Sequence, residues 1–161
     1  MFKHILMPTD GTEHSERAVE RGIELAKLCG AKVTGIHVMQ DYRMMLGPEG
    51  LVPSELDEDM EARDSDRAAS FLAFVQKTAD AAGVPCETVM VKGMHPYDAI
   101  VDAANDRGCD LIVMTSRHRK GLVSLLIGSE ASRVLHRSSI PVLTFRALMS
   151  ADHPDKSQAA S

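Results

Sequence analysis

His4-Ile5-Leu6-Met7-Pro8-Thr9-Asp10-Gly11 sets a short apolar run directly against a proline, an acid and a glycine. Ile5, Leu6 and Met7 predict a buried strand, because a brief continuous apolar run bounded by turn residues suits a strand covered on both faces. Ala18, Val19, Gly22, Ile23, Leu25, Ala26 and Cys29 then recur at helical spacing, and Gly30 stands where a helix C-cap belongs. Val33 to Met39 reads as a second strand. Strand, helix, strand in this order is the start of a parallel sheet.

The pattern breaks over residues 41 to 59, where Gly47, Pro48, Gly50 and Pro53 precede the acidic run from Glu55 to Asp59. This segment predicts a long loop, of the kind that serves as a lid or a mobile segment. Helical periodicity resumes from Met60 to Ala82 and stops at Gly83-Val84-Pro85. Glu87 to Val91 reads as a third strand, and His95 to Arg107 as a short helix ended by Gly108. Asp110 to Thr115 is the most strand-like run, Ser129 to His136 a further helix, and Pro141 to Phe145 a closing edge strand. Proline fits the start of such a strand, where its missing N–H does no harm. Residues 147 to 161 read as a polar, frayed tail.

The expected fold is therefore α/β, a doubly wound, mostly parallel five-stranded sheet with helices on both faces, of Rossmann-like type. Right-handed crossovers force such a sheet to reverse its winding direction once, and ligands bind in the crevice that opens there at the strand C-termini. If the first strand is central, Pro8, Thr9, Asp10 and Gly11 flank that crevice together with the segment after Thr115.

Composition narrows the function. Of 161 residues, 44% are hydrophobic and 25% charged, the balance of one ordinary globular domain. A net charge of −5 argues against general binding to nucleic acid or anionic lipid, and 4% aromatics without tryptophan supply no stacking platform for single strands. No apolar run approaches the roughly 18 residues of a spanning helix. The apolar opening ends at Pro8 to Gly11, too early for a signal peptide. Three cysteines with no close pair, Cys29, Cys86 and Cys109, fit reduced thiols in a cytoplasmic protein.

Three segments together resemble the universal stress protein family. His4 to Ser15 is similar to its first strand, acidic turn and helix start, and Gly35-Ile36-His37-Val38 to its second strand. Asp110 to Met114, Gly121-Leu122, Leu125 to Ser129, Val134-Leu135 and Ile140 to Leu143 are similar to its C-terminal half. The resemblance spans nearly all of residues 2 to 146, with the 41-to-59 segment where the family varies. It implies a stress-response role, and for many members it implies binding of ATP or AMP, with Mg where ATP is bound. The phosphate motif of those members is Gly, two residues, Gly, nine residues, then Gly and Ser or Thr. Counted back from Gly128-Ser129, the two earlier glycine positions hold Thr115 and His118.

That departure separates two readings. Glycines in a phosphate loop let backbone N–H groups approach the oxygens, and Thr115 and His118 restrict that approach. Arg117, Arg119 and Lys120 supply side-chain charge that holds an anion in another way, or they form a solvated loop. Ser129 stands at a helix N-cap, where free N–H groups attract anions or simply receive a cap. Glu130 already complements that helix end and repels a triphosphate. By the resemblance, Asp10 takes ribose and Val38 lines the adenine pocket; the alternatives are a turn role for Asp10 and core packing for Val38 and Met114.

No other chemistry is marked. His4 and His14 are expected at the surface and His37 in a hydrogen-bonded role within a strand. No histidine pair has zinc-helix spacing, and neither a nucleophile elbow nor a Gly-rich Lys loop occurs. The chain is read as a non-enzyme, slow ATP hydrolysis standing as a third reading without an identifiable base or metal ligand. Residues 41 to 67 hold nine acids and three bases, residues 117 to 137 five bases and one acid. The acidic segment either folds over the basic one and occludes the crevice, or both are solvated surfaces. The resemblance also implies a homodimer paired through the last strand, Val142 to Phe145. Two main readings stay open: an adenine-nucleotide-binding switch, and a dimeric interaction module that has lost the nucleotide.

Overall fold

The computed structural model describes residues 1–41, 54–116 and 129–146, with the side chains of 54–58 left aside. Five strands, β1 (His4–Pro8), β2 (Lys32–Gln40), β3 (Cys86–Gly93), β4 (Leu111–Ser116) and β5 (Val142–Arg146), form one sheet in the order β3-β2-β1-β4-β5. Every pairing is parallel. Between them run α1 (Glu13–Cys29), α2 (Ser54–Ala82), α3 (Pro96–Asp106) and α4 (Ser129–Arg137).

Alternation along the strands sorts the core into two layers. Ile5, Met7, Val33, Leu111 and Val113 cluster with Val19 and Ile23 of α1 and Val75 and Ala79 of α2. Leu6, Ile36, Ile112 and Met114 point the other way and cluster with Ile100 and Ala104 of α3 and Ala131 and Val134 of α4. Because β1 is buried on both faces, its three apolar residues run without a polar interruption. The chain winds outward from β1 to β3 and then crosses back to β4, so the reversal lies between β1 and β4.

Helix ends follow local chemistry. Thr12 caps α1, its hydroxyl oxygen accepting the Ser15 N–H, and Gly30 ends it at φ 66°. Gly108, at φ 65°, turns the chain from α3 into β4. The expected loop over 41 to 59 is corrected at its end, since α2 already begins at Ser54. An acidic run complements the positive end of a helix, so Glu55 to Asp59 reads better as a helix start than as a breaker. The remainder of that loop, 42–53, and the expected tail, 147–161, lie outside the described residues.

Candidate functional site

At the reversal, β1 ends at Pro8 and the next residues are pinned one by one. Thr9 N donates to Ile36 O of β2 at 2.9 Å, continuing the ladder one step beyond the strand. The buried Thr9 hydroxyl accepts the Gly11 N–H at 3.2 Å and lies 3.2 Å from Ser15 Oγ. Asp10 is exposed, and its Oδ1 accepts both the N–H and the hydroxyl of Thr12, at 3.0 and 2.6 Å. This is the side-chain turn to which aspartate is suited. Gly11 sits at φ 70°, a left-handed conformation that a side chain would strain. The turn role of Asp10 is thus present.

Around this turn, Val38 is half-buried near the C-terminal end of β2 and packs toward the α3 and α4 layer. Met114, 6% exposed, belongs to that same core. Thr115 is half-buried, and its hydroxyl donates to Phe145 O at 3.4 Å, toward β5 and away from β1. Ser116, the last residue of β4, is buried and was not singled out by any sequence pattern.

Ser129 is the first residue of α4 rather than the cap before it, and it is exposed. Gly128 lies outside the described residues, with Arg117 and His118. Glu130 pairs with Arg133 at 3.6 Å within the first turn. Arg133 in turn lies 5.3 Å over the Tyr97 ring of α3. The structure thus brings Pro8, Thr9, Asp10 and Val38 to one end of the sheet and places Met114 and Thr115 at the same end of β4.

Two further residues, His37 and Phe71, shape the turn, and only Phe71 goes unmarked by any sequence pattern. His37 Nδ1–H donates to Thr9 O at 2.8 Å, which confirms the expected hydrogen-bonded role and gives it a partner. Phe71 of α2 meets the His37 ring edge-on, centroids 5.3 Å apart. Phe71 lies in a plain amphipathic helix, so its position over the turn left no trace in local sequence.

The opposite end of the sheet carries a separate polar cluster. His4, expected at the surface, is only 4% exposed. Its ring nitrogens find partners within the fold: Nε2 lies 2.7 Å from Thr34 Oγ1, Nδ1 3.1 Å from Arg107 O. Burial, aided by Lys32, pushes the His4 ring below the ordinary histidine value. Glu87 accepts from Thr34 at 2.9 Å and from Arg107 at 3.0 Å, and the Thr34 hydrogen bond, with help from Arg107, holds its carboxyl low. The three cysteines are free thiols, and burial pushes Cys86 and Cys109 up to about 11. Among the described residues no group of three or more His, Cys, Asp and Glu is placed to hold a metal ion, and no helix is long and apolar enough to cross a membrane. Of the acidic segment, Glu61 pairs with Lys92 of β3, while the basic stretch lies largely outside the described residues, so the alternatives of occlusion and two solvated surfaces both stay open.

Comparison with known proteins places these features in a family. The model of the universal stress protein family matches residues 1–146. Universal stress protein MJ0531 of Methanocaldococcus jannaschii is 34% identical over 146 residues, covering 91% of this chain and 83% of that protein. A solved structure of MJ0577, from the same organism, superposes with a TM-score of 0.76 at 27% identity, over 93% of this chain and 99% of that one. A universal stress protein solved in complex with cAMP superposes with a TM-score of 0.67 at 26% identity, over 89% of this chain and 97% of the other. With its fold, its sequence and its relatives in agreement, this chain belongs to the universal stress protein family.

Proposed function

We propose that this chain is a stress-response regulatory module that binds an adenine nucleotide, ATP or AMP, in the crevice where the sheet reverses. The observation that carries this reading is the exposed Asp10 carboxylate on a closed turn at the C-terminal end of the central strand. That is the position at which doubly wound sheets take ligands. An ionised carboxylate accepts about four hydrogen bonds, so closing the turn and receiving ribose hydroxyls are compatible duties. The similar structure in complex with cAMP adds support for an adenine ligand. In this reading Pro8, Thr9 and Asp10 hold the ribose side and Val38 and Met114 the base side. Thr115, Arg117, His118, Gly128, Ser129 and Glu130 surround the phosphates, with Mg where ATP is the ligand. No catalytic role is assigned.

A second reading has its own observation. Thr115, at the first glycine position of the family motif, directs its hydroxyl to Phe145 O instead of toward the crevice. A chain that had given up phosphate binding would work as an interaction module through its surface. Both readings include a homodimer paired through β5, which among the described strands has a neighbour on one side only. Both place the protein in the cytoplasm.

Titration calorimetry with ATP, ADP and AMP separates them. Micromolar affinity that disappears in Asp10→Ala supports the switch; absence of heat at millimolar nucleotide supports the module. Asp10→Asn retains an acceptor for Thr12 but not the charge, so a partial loss there would assign the remainder to the carboxylate.

A further inference from the structure

The turn that carries Asp10 is held from a helix remote in sequence. Gly11 is free to adopt many backbone conformations, and the left-handed one at φ 70° is held by a contact from outside as well as by the turn's own hydrogen bonds. Phe71 supplies the contact. A Cβ built on Gly11 would fall among the Cγ, Cδ1 and Cε1 atoms of the Phe71 ring, so the ring lies directly on the glycine. The same ring meets His37 at an interplanar angle of 68°. His37 reaches the other end of the turn, donating Nδ1–H to the Thr9 carbonyl. A carbonyl only accepts, so Nδ1 carries the hydrogen and the ring orientation is defined. One residue of α2 and one of β2 thereby grip Thr9 and Gly11 on either side of Asp10.

We propose that Phe71 and His37 are positioning residues that latch the Thr9-Asp10-Gly11 turn in its ligand-ready shape, and that Phe71 links occupancy of the turn to the placement of α2. The linkage rests on the nucleotide reading above; the latch does not. If the turn must be ordered to receive ribose, a pre-ordered turn binds more tightly, and the free energy of ordering appears in affinity. By reciprocity, a ligand that favours the ordered turn also favours the α2 position that orders it. Helix α2 would then carry the bound state to the outer surface of the protein, giving a stress module a way to signal occupancy.

Phe71→Leu in the full chain tests this, with Val75→Ala as the control. Val75 lies one turn further along α2, is fully buried and packs against Gly35 rather than the turn. Two amides report on the turn: Gly11 N–H, bound to Thr9 Oγ1, and Thr12 N–H, bound to Asp10 Oδ1. Expected for Phe71→Leu is faster hydrogen exchange at both amides and roughly tenfold weaker AMP binding. Val75→Ala lowers the unfolding temperature and moves neither. AMP slows exchange along α2 in the unaltered chain and fails to do so in Phe71→Leu. His37→Phe, which keeps a ring beside Phe71 but deletes the donor to Thr9, gives an independent second variant with the same expected loosening. Unchanged exchange at Gly11 and Thr12 in both variants overturns the latch, as does an equal loosening in Val75→Ala. AMP protection of the turn without any of α2 overturns the linkage. If the unaltered chain binds no nucleotide, the nucleotide reading and the linkage fall together. The exchange rates alone then judge the latch.

Discussion

Asp110 accepts the backbone N–H of His4 through Oδ1 at 3.0 Å and so ties the turn before β4 to the first residue of β1. The same carboxylate also takes the Lys3 N–H, at 2.8 Å through Oδ2. Partial burial pushes this carboxyl up, but the N–H groups of His4, Lys3 and Asp110 itself outweigh it and hold the group below its ordinary 3.8. The central pair of strands is therefore fastened at its start by a charge that must remain ionised.

Stability should fall with acid in two windows. His4 is depressed from 6.5, so protonation is easier in the unfolded chain, and its contribution is lost as pH falls below 6.5 toward its folded value. Asp110 and Glu87 are depressed from 3.8 and 4.5, so their contributions are present above those values and lost as pH falls through the lower folded ones. Urea melts across pH should show a flatter upper window in His4→Gln and a flatter lower window in Asp110→Asn. At neutral pH, Asp110→Asn should cost about 1–2 kcal/mol, because hydrogen bonds to a charged acceptor are weakened. Unchanged pH profiles in both variants would contradict these assignments.

Two glycines separate backbone strain from crowding. Gly30, at φ 66°, has open space where a Cβ would go, so Gly30→Ala should cost only the left-handed penalty, about 1 kcal/mol. Gly35 in β2 has room for none: a Cβ would stand 2.8 Å from Val75 Cγ1, a stiff β-branched side chain in the core. Gly35→Ala should cost about 1–3 kcal/mol by overpacking, and pairing it with Val75→Ala should recover part of the loss. Chemical denaturation of the three variants decides it.

The proposed dimer predicts a change of mass on altering β5. Leu143 is 37% exposed on this edge strand. An aspartate there adds a negative charge on each copy, facing its counterpart across a two-fold axis. Light scattering at micromolar concentration should give a dimer for the unaltered chain and a monomer for Leu143→Asp. A monomer in both removes the dimer from either functional reading.

Thiol chemistry should be unequal. With Cys86 and Cys109 pushed up to about 11 by burial, little thiolate exists at neutral pH. An aromatic disulfide reagent should label half-buried Cys29 first, half-buried Cys86 more slowly, and buried Cys109 only after unfolding. Rapid labelling of all three in the folded protein would contradict the burial that raises them.

Much of this fold is written locally. Ile5 to Met7, the α1 periodicity and Gly30 each carry a pattern that short-range chemistry enforces, so the parallel order of elements and the turn at Asp10 could be read from neighbours in the chain. The start of α2 is not legible locally, because an acidic run beside prolines resembles a loop although it also suits the positive end of a helix. His4 reads as a surface residue because polarity alone does not reveal its buried partners, Thr34 and the Arg107 carbonyl, which are remote in sequence.

What no stretch of neighbours encodes is the meeting of Phe71 with Gly11 and His37, the turning of Thr115 toward Phe145, and the clasp between Asp110 and His4. Local pattern reports propensity and periodicity, which act over a few residues. Contacts between distant segments depend on strand order, and strand order is set only when the two core layers are packed together.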